Sequence, residues 1–502
     1  MTSSRQNGRT GFLVFLLSLV LYLATTGGSM ATDIMSYEVA KNIVEHRSVA
    51  MSYNVLNMDA HQGMDGRYYA PYGVGHALYA VPFYLAGKLV EDATGIGVGK
   101  PEALRKAFVV LGNAVAGALT VWLTFLFACG IGGSPRASVL TALTLGFGTF
   151  LWTYSKFGFS APLTALTILW GLYGVWTGTR TRRPALLWLG GLGLGCALLV
   201  RHELALAVVP VGLWIVVESR GSWLRIVRRS LPVALPVVAA GLLTLYYNEV
   251  RFGRPWDTGY LRDRTATFGS IWVGLPGLLA SPGRSLFLFA PVTLLGVAGM
   301  GALWKRDRST AMLIGGTIAV LLLFYASLTY WDADRSYGPR YLVAILPLVC
   351  LPLVMWFDRP GEDRRRRVLI AVAVLSVVVQ LPGVVVDFSR VNFRPEYAYL
   401  TREDRLWTWE GSALRLNTLA AVSGIPSNVR YLTGLEPRPP IHAADARGRD
   451  FSEQFGFSLD FWWLYLPYAG VVPTPLAVTA AVALLAGAVW IARLLRRRLA
   501  PG

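Results

Sequence analysis

Charge is scarce in this 502-residue sequence, and negative charge scarcer still: Asp, Glu, Lys and Arg make up 15% of residues, with 29 acids against 47 bases. Soluble domains carry about 25% charged residues, so the composition does not fit a soluble globular protein. Cysteine is nearly absent. The three present, Cys129, Cys196 and Cys350, all lie in apolar runs, which excludes a disulfide framework and reads as buried thiols. The five histidines, at 46, 61, 76, 202 and 442, show no spacing typical of zinc ligands. The first apolar run, from Gly11 to Thr25, lacks a small-residue cleavage site, so it reads as a retained span rather than a signal peptide.

Apolar residues dominate instead, at 54%. Twelve runs of spanning quality stand at about 11–26, 107–130, 137–152, 160–178, 185–200, 204–217, 231–247, 285–304, 311–329, 341–357, 368–386 and 472–492. Several fall short of the roughly 20 residues that cross hydrocarbon. The stretch from Tyr72 to Val90 is a thirteenth candidate, interrupted by His76, Pro82 and Lys88. Counting it as a span would invert the sidedness of nearly every basic cluster, so it is expected to lie on or dip into the outer leaflet.

Sidedness follows from the bases. Twenty-two of them fall at the N-terminus or in alternate gaps between runs, against five acids, a surplus of 17 in a chain whose total is +18. The positive-inside rule makes these loops and both termini cytoplasmic, and the basic balance then needs no nucleic-acid partner. Of the bases, 41 are Arg, and no Asn-x-Ser/Thr sequon occurs, which suits a bacterial plasma membrane. The expected organisation is a transmembrane catalytic region over 1–390 with a first extracytoplasmic loop at 27–106, a cap over 391–471, and a last span with a basic tail over 472–502.

No charge lies within the twelve runs, whereas an ion-coupled transporter carries ionisable groups near the midplane. The polar residues collect at the outer ends: Asp33, Lys156, Arg201, His202, Glu203, Asn248, Arg251, Asp257, Arg284, and the string from Tyr330 to Tyr341 containing Asp332, Asp334 and Arg340. This pattern points to one site reachable from lipid and from water. Arg201, His202 and Glu203 form the whole connection between two short runs. Seventeen helical residues before them rise only about 25 Å, less than a core of about 30 Å, so the triplet should be recessed. The plainer reading, a tight turn whose Arg and Glu pair and reach toward headgroups, stands beside a role near substrate.

The order of these residues carries a resemblance. A first span followed by Thr32-Asp33-Ile34-Met35-Ser36-Tyr37-Glu38, a Gly66-Arg67-Tyr68-Tyr69 run, an amphipathic segment, Tyr247-Asn248-Glu249-Val250-Arg251-Phe252-Gly253, Asp257-Thr258-Gly259-Tyr260, Ser281-Pro282-Gly283-Arg284 and Tyr337-Gly338-Pro339-Arg340-Tyr341 resembles the GT-C superfamily. More narrowly it is similar to family 39-like glycosyltransferases, the protein O-mannosyltransferases and lipid A aminoarabinose transferases. The resemblance covers about 11–390. It implies an all-α polytopic GT-C-like bundle of about 12 transmembrane helices with extracytoplasmic juxtamembrane helices. It also implies a donor sugar on polyprenyl phosphate and a hydroxyl acceptor on lipid, glycan or protein.

In that superfamily the acid of the first outer loop is the catalytic base, which points to Asp33. One carboxylate suffices chemically. A sugar phosphate ester already has a good leaving group, while the acceptor hydroxyl gains from losing its proton as it attacks, and cations stabilise the departing phosphate. Arg284 and Arg340, whose guanidinium groups offer bidentate donors, are the candidates for that phosphate, with Arg201 third. Tyr68, Tyr69, His202, Glu203, Asn248, Arg251, Asp257, Asp332, Asp334 and Tyr341 complete the candidate substrate-binding set. A cap on the helix from Ile34 is the plainer role for Asp33, and a loop or headgroup ion pair the plainer one for each Arg.

The sequence departs from the family where Ile34 follows the Asp in place of Glu, where Lys156 stands in a loop that often holds an acid, and where no cation follows Tyr68 and Tyr69. No cofactor is required by this chemistry. Asp332-Ala333-Asp334 is formally a DxD, which leaves a divalent metal as a minor alternative to pairing with Arg. A transporter or flippase of lipid-linked saccharide, and a silent scaffold of the same fold, remain as other readings.

Overall fold

The protein is described by a computed structural model covering residues 2–27, 34–51, 60–97, 101–260, 267–334, 336–359, 363–391, 397, 399–433, 435, 459–468 and 470–500. Each of the twelve apolar runs is helical. Among the described residues, seven helical segments are long and apolar enough to cross a membrane: Asn7–Thr25, Glu102–Gly130, Trp223–Phe252, Arg308–Ala326, Arg340–Phe357, Asp363–Val385 and Thr474–Leu499. The chain is a multi-pass membrane protein. The only paired strands among the described residues form a hairpin, His61–Gln62 against Tyr68–Tyr69.

Irregularity sits where protein, not lipid, surrounds it. The run at 341–357 is not one continuous helix: it forms a 3-10 turn at Arg340–Ile345, a helix at Leu346–Cys350, a second 3-10 turn at Leu351–Leu353 and a last turn at Val354–Phe357. Pro347 and Pro352 remove two backbone donors and break the ladder. Such backbone is tolerated at membrane depth only when buried in protein. This span is the most enclosed of the seven, 78% buried against 22% for Asp363–Val385 and Thr474–Leu499, so it is the bundle axis and the other two are its rim. Gly296 and Gly299 of Val292–Arg306 let that helix approach it closely, since a Cβ there would lie 2.1 Å from the Val349 carbonyl oxygen and 2.6 Å from that of Pro352.

The glycine-rich run at Pro184–Val200 packs on two sides. A Cβ on Gly190 would lie 2.5 Å from the Val175 nitrogen of Ala161–Thr181, and one on Gly191 would lie 2.7 Å from the Pro232 carbonyl oxygen of Trp223–Phe252. Close backbone approach through small residues is how helices associate where lipid removes the hydrophobic drive.

The bundle has two chemically distinct ends. At one, Arg180 donates to Glu218 at 3.2 Å and to Asp307 at 3.0 Å, tying three helices together among the basic loops. The first and last helices run antiparallel, with residues 8–13 beside 494–498, so both chain ends lie there too. The other end gathers residues 23–27, 156–160, 201–203, 284, 331–334, 336–341 and 460–463. The expected interfacial segment is a helix, Val74–Thr94, packed on Pro101–Gly130 and Ile34–His46. Leu78, Leu85 and Leu89 form an exposed stripe along it, and a network of Glu45, Tyr84, Glu91 and Arg105 fixes its inner face.

Candidate active site at the loop end of the bundle

Asp33 lies outside the described residues, so the site is built from what flanks it. The chain enters that loop at Gly27, whose amide donates to the Lys156 carbonyl at 3.0 Å, and leaves it at Ile34, where the helix Ile34–His46 begins. The last turn of the first helix is clamped: Trp462 and Trp463 donate their indole N–H groups to the carbonyls of Leu23 and Ala24 at 2.8 and 2.9 Å. Lys156, buried, donates to the carbonyls of Val384 and Asp460 and pairs with the Asp460 carboxylate at 3.1 Å. Burial drives the Lys156 ammonium below its ordinary pKa, against the opposing pull of Asp460. Gly27 leaves room for this pair, because a Cβ there would lie 2.5 Å from Asp460 Oδ2.

Arg284 and Arg340 converge on one turn. Arg284 Nε donates to the carbonyl of Asp332 at 3.0 Å, and Arg340 Nη2 to that of Ala333 at 3.0 Å. Ala333 and Asp334 have φ of 57° and 35°, left-handed values that cost energy in residues with a Cβ and that concentrate at functional sites. Arg340 rests on the Phe159 ring at 4.6 Å, and its Nε is buried without a partner among the described residues. The Asp332 carboxylate is taken by Arg402 from the segment expected as a cap, and no group of three His, Cys, Asp or Glu able to hold a metal exists among the described residues. Arg335 is outside the described residues.

A second cluster adjoins the first through Tyr341. Arg201 covers the Tyr341 ring at 5.0 Å, and Tyr341 stacks on Tyr325 at 5.1 Å and 13°. Glu203 accepts from Arg201 and from the Tyr325 hydroxyl, both at 3.3 Å. Burial works against the Arg201 charge, but Glu203 and the surrounding tyrosines outweigh it and raise its pKa. His202 is held below its ordinary value by burial, with Arg251 adding to the effect, and meets the Tyr260 ring edge-on at 6.4 Å. The triplet does form the connection between two short helices, Pro184–Val200 and Val208–Glu218, through a 3-10 turn at His202–Ala207.

The remaining candidates are built into the walls. Arg251, fully buried, donates to the carbonyls of Ala70 and Tyr72 and to Asn248 Oδ1, while Asn248 donates to the Pro255 carbonyl. The pair therefore staples the first loop to the helix Trp223–Phe252. Tyr69 is buried against Phe252 and donates its hydroxyl to Asp65 at 2.7 Å, and Tyr68 pairs with Gln62 in the hairpin. Asp257 accepts from the Gly259 amide at 3.0 Å and bends the loop that carries Tyr260. Sequence reasoning did not find Arg402 or Asp460. Arg402 sits in a capping box, where Thr401 and Asp404 bond reciprocally, a local signal that says nothing of the distant Asp332.

The family described as dolichyl-phosphate-mannose-protein mannosyltransferase matches residues 71–245, about a third of the chain. No curated protein matches the sequence. The fold is similar to that of ArnT from Cupriavidus metallidurans in its apo state, at TM-score 0.53 and 17% identity over 96% of this chain and 78% of that one. It is similar also to ArnT from Cupriavidus metallidurans bound to undecaprenyl phosphate, at TM-score 0.51 and 17% identity over 92% and 87%. These likenesses identify the fold as GT-C.

Proposed function

On the premise that the chain has the GT-C fold, we propose that it is a membrane glycosyltransferase that moves a sugar from polyprenyl phosphate to a hydroxyl acceptor with inversion. The enzyme class rests on the mannosyltransferase family match over 71–245 together with the shared fold. The lipid-linked donor is in keeping with the undecaprenyl phosphate bound to ArnT. The positive-inside rule puts the reaction at the extracytoplasmic face, away from the basic loops.

The observation that carries the reading is the convergence of Arg284 and Arg340 on the Asp332–Ala333 turn, with Arg340 Nε buried and unpartnered. Backbone carbonyls fix both guanidinium groups and leave N–H donors over for a phosphate oxygen. Phe159, beneath Arg340, belongs to the same loop as Lys156, which holds Gly27 at the entrance to the Asp33 segment. The Arg340 contact and the entrance to the Asp33 segment at Gly27 are therefore joined through the one loop of residues 156–159.

The acceptor oxygen attacks C1 as the C1–O bond to phosphate breaks, with Asp33 taking the hydroxyl proton and Arg340 and Arg284 receiving the growing phosphate charge. Preorganised donors aimed at developing charge are usually the largest catalytic contribution. Arg201 and Glu203, both partly exposed beside Tyr341, supply hydrogen-bonding groups suited to a sugar beside that phosphate. Asp33→Asn tests the base. Transfer should fall by about 10²–10⁴-fold while binding of polyprenyl phosphate persists. Unchanged transfer, or lipid flipping with no glycosidic product, would overturn the assignment.

A further inference from the structure

The first and last helices carry six arginines, at 5, 9, 493, 496, 497 and 498, and neither contains an acid. At the same end of the bundle several other bases are bound by protein groups: Arg180 by Glu218 and Asp307, Arg306 by the Gly132 carbonyl, Arg229 by Ser219. No Asp or Glu among the described residues pairs with Arg9, Arg497 or Arg498. Where the two helices meet they enclose an open groove of about 580 Å³, lined by these three arginines with Gly8, Phe12 and Leu494.

The groove is graded along the membrane normal. Arg9 stands at its rim, and Phe12, 56% exposed, lies three residues farther along the same helix, about 4.5 Å deeper at the helical rise. Leu494 precedes Arg497 by three residues and Arg498 by four on the antiparallel helix. Guanidinium groups at headgroup level above an apolar wall match a phosphodiester with an acyl chain below it. Basic clusters immediately beside a transmembrane helix recognise anionic headgroups in this way. The groove is open at Gly8, where a Cβ would meet nothing within 4 Å.

We infer that this groove is a binding site for an anionic phospholipid, distinct from the proposed transfer site at the opposite end of the bundle. The lipid neutralises the arginine pair of the last helix and locks it to the first. The proposal does not depend on the transfer chemistry.

The test uses the purified full chain in detergent, with native mass spectrometry reading retention of phosphatidylglycerol and phosphatidylcholine, and with glycerol 3-phosphate as a competitor lacking acyl chains. Phosphatidylglycerol should be retained in preference to phosphatidylcholine. Retention should fall at least about tenfold in the triple variant Arg9→Gln, Arg497→Gln, Arg498→Gln and in Gly8→Leu, which fills the groove with charge unchanged, while Gly8→Ala retains it. Equal retention of the two lipids, full retention in Gly8→Leu and the triple variant, or displacement by equimolar glycerol 3-phosphate would overturn the proposal.

Discussion

Lys156 and Asp460 are 304 residues apart in sequence, yet their side chains form an ion pair at 3.1 Å with 0% and 2% of each exposed. Removing one partner of a buried pair leaves an uncompensated charge and costs about 3–5 kcal/mol, whereas replacing both by apolar groups is often neutral. Asp460→Leu and Lys156→Met should each lower the melting temperature sharply. The double variant should be more stable than either single one, as read by thermal unfolding in detergent. Additive losses would mean that the ion pair itself contributes no coupling, and that the carbonyl bonds of Lys156 hold the junction.

Arg340 and Arg402 bind different groups of the same turn and should respond differently to substitution. Arg340 Nε is unpartnered, so Arg340→Gln should raise the donor KM and lower kcat/KM by about 10–150-fold, the loss of a hydrogen bond to a charged group worth about 1.5–3 kcal/mol. Arg402 binds the Asp332 carboxylate and the Thr329 carbonyl and has no part in the proposed phosphate contact. Arg402→Gln should therefore lower thermal stability and weaken transfer less than Arg340→Gln does. Steady-state kinetics on purified variants with lipid-linked donor decides the order, and a reversed ranking would move the phosphate contact to the cap.

Periodic and local features were legible. Each apolar run falls on a helix, and Arg201, His202 and Glu203 do form a tight turn between two short ones, because run length and charge position fix those outcomes within a few residues. The amphipathic stretch at 72–90 likewise forms a helix that buries His76 and Tyr84 and exposes Leu78, Leu85 and Leu89. Contacts across long separations were not legible. The pairing of Asp332 with Arg402, or of Lys156 with Asp460, depends on which helices neighbour each other, and no spacing encodes that. The breaks within 340–357 were not legible for a related reason: apolarity marks burial, and two prolines decide the backbone only once the surrounding helices can satisfy the freed groups. Nor could sequence distinguish Arg251, whose donors are used on Ala70, Tyr72 and Asn248, from Arg340, which keeps one.

The Gly190 contact gives a prediction independent of chemistry. A side chain there would overlap the Val175 and Gly174 backbone of the neighbouring helix, and overpacking of this kind costs about 1–3 kcal/mol or more. Gly190→Leu should reduce folded yield and melting temperature. Gly212→Ala, whose Cβ meets nothing within 4 Å, should be neutral or stabilising by up to about 1 kcal/mol through helix propensity. Equal behaviour of the two variants in size-exclusion and thermal assays would mean that the hairpin of Ala161–Thr181 and Pro184–Val200 is not packed this tightly.

Asp307 sets an acid limit on the end of the bundle that carries the basic loops. It caps the helix Arg308–Ala326 by accepting from the Thr310 amide and hydroxyl, and it pairs with Arg180. Partial burial opposes its ionisation, but these donors outweigh burial and hold its carboxyl below the ordinary carboxylate value. A carboxylate with a depressed folded-state pKa contributes stability that is fully present above its unfolded value, about 3.9, and is lost as pH falls through the folded value. Melting temperature should therefore be insensitive to this group from neutral pH down to about pH 5 and should decline below about pH 4. Asp307→Asn keeps a capping acceptor while removing the charge, so it should cost about 1 kcal/mol at pH 7 and converge with the parent protein as the pH approaches 3. Parallel melting curves for the two proteins across that range would show that the Arg180 contact, and the clasp it makes among three helices, contributes nothing that depends on the Asp307 charge.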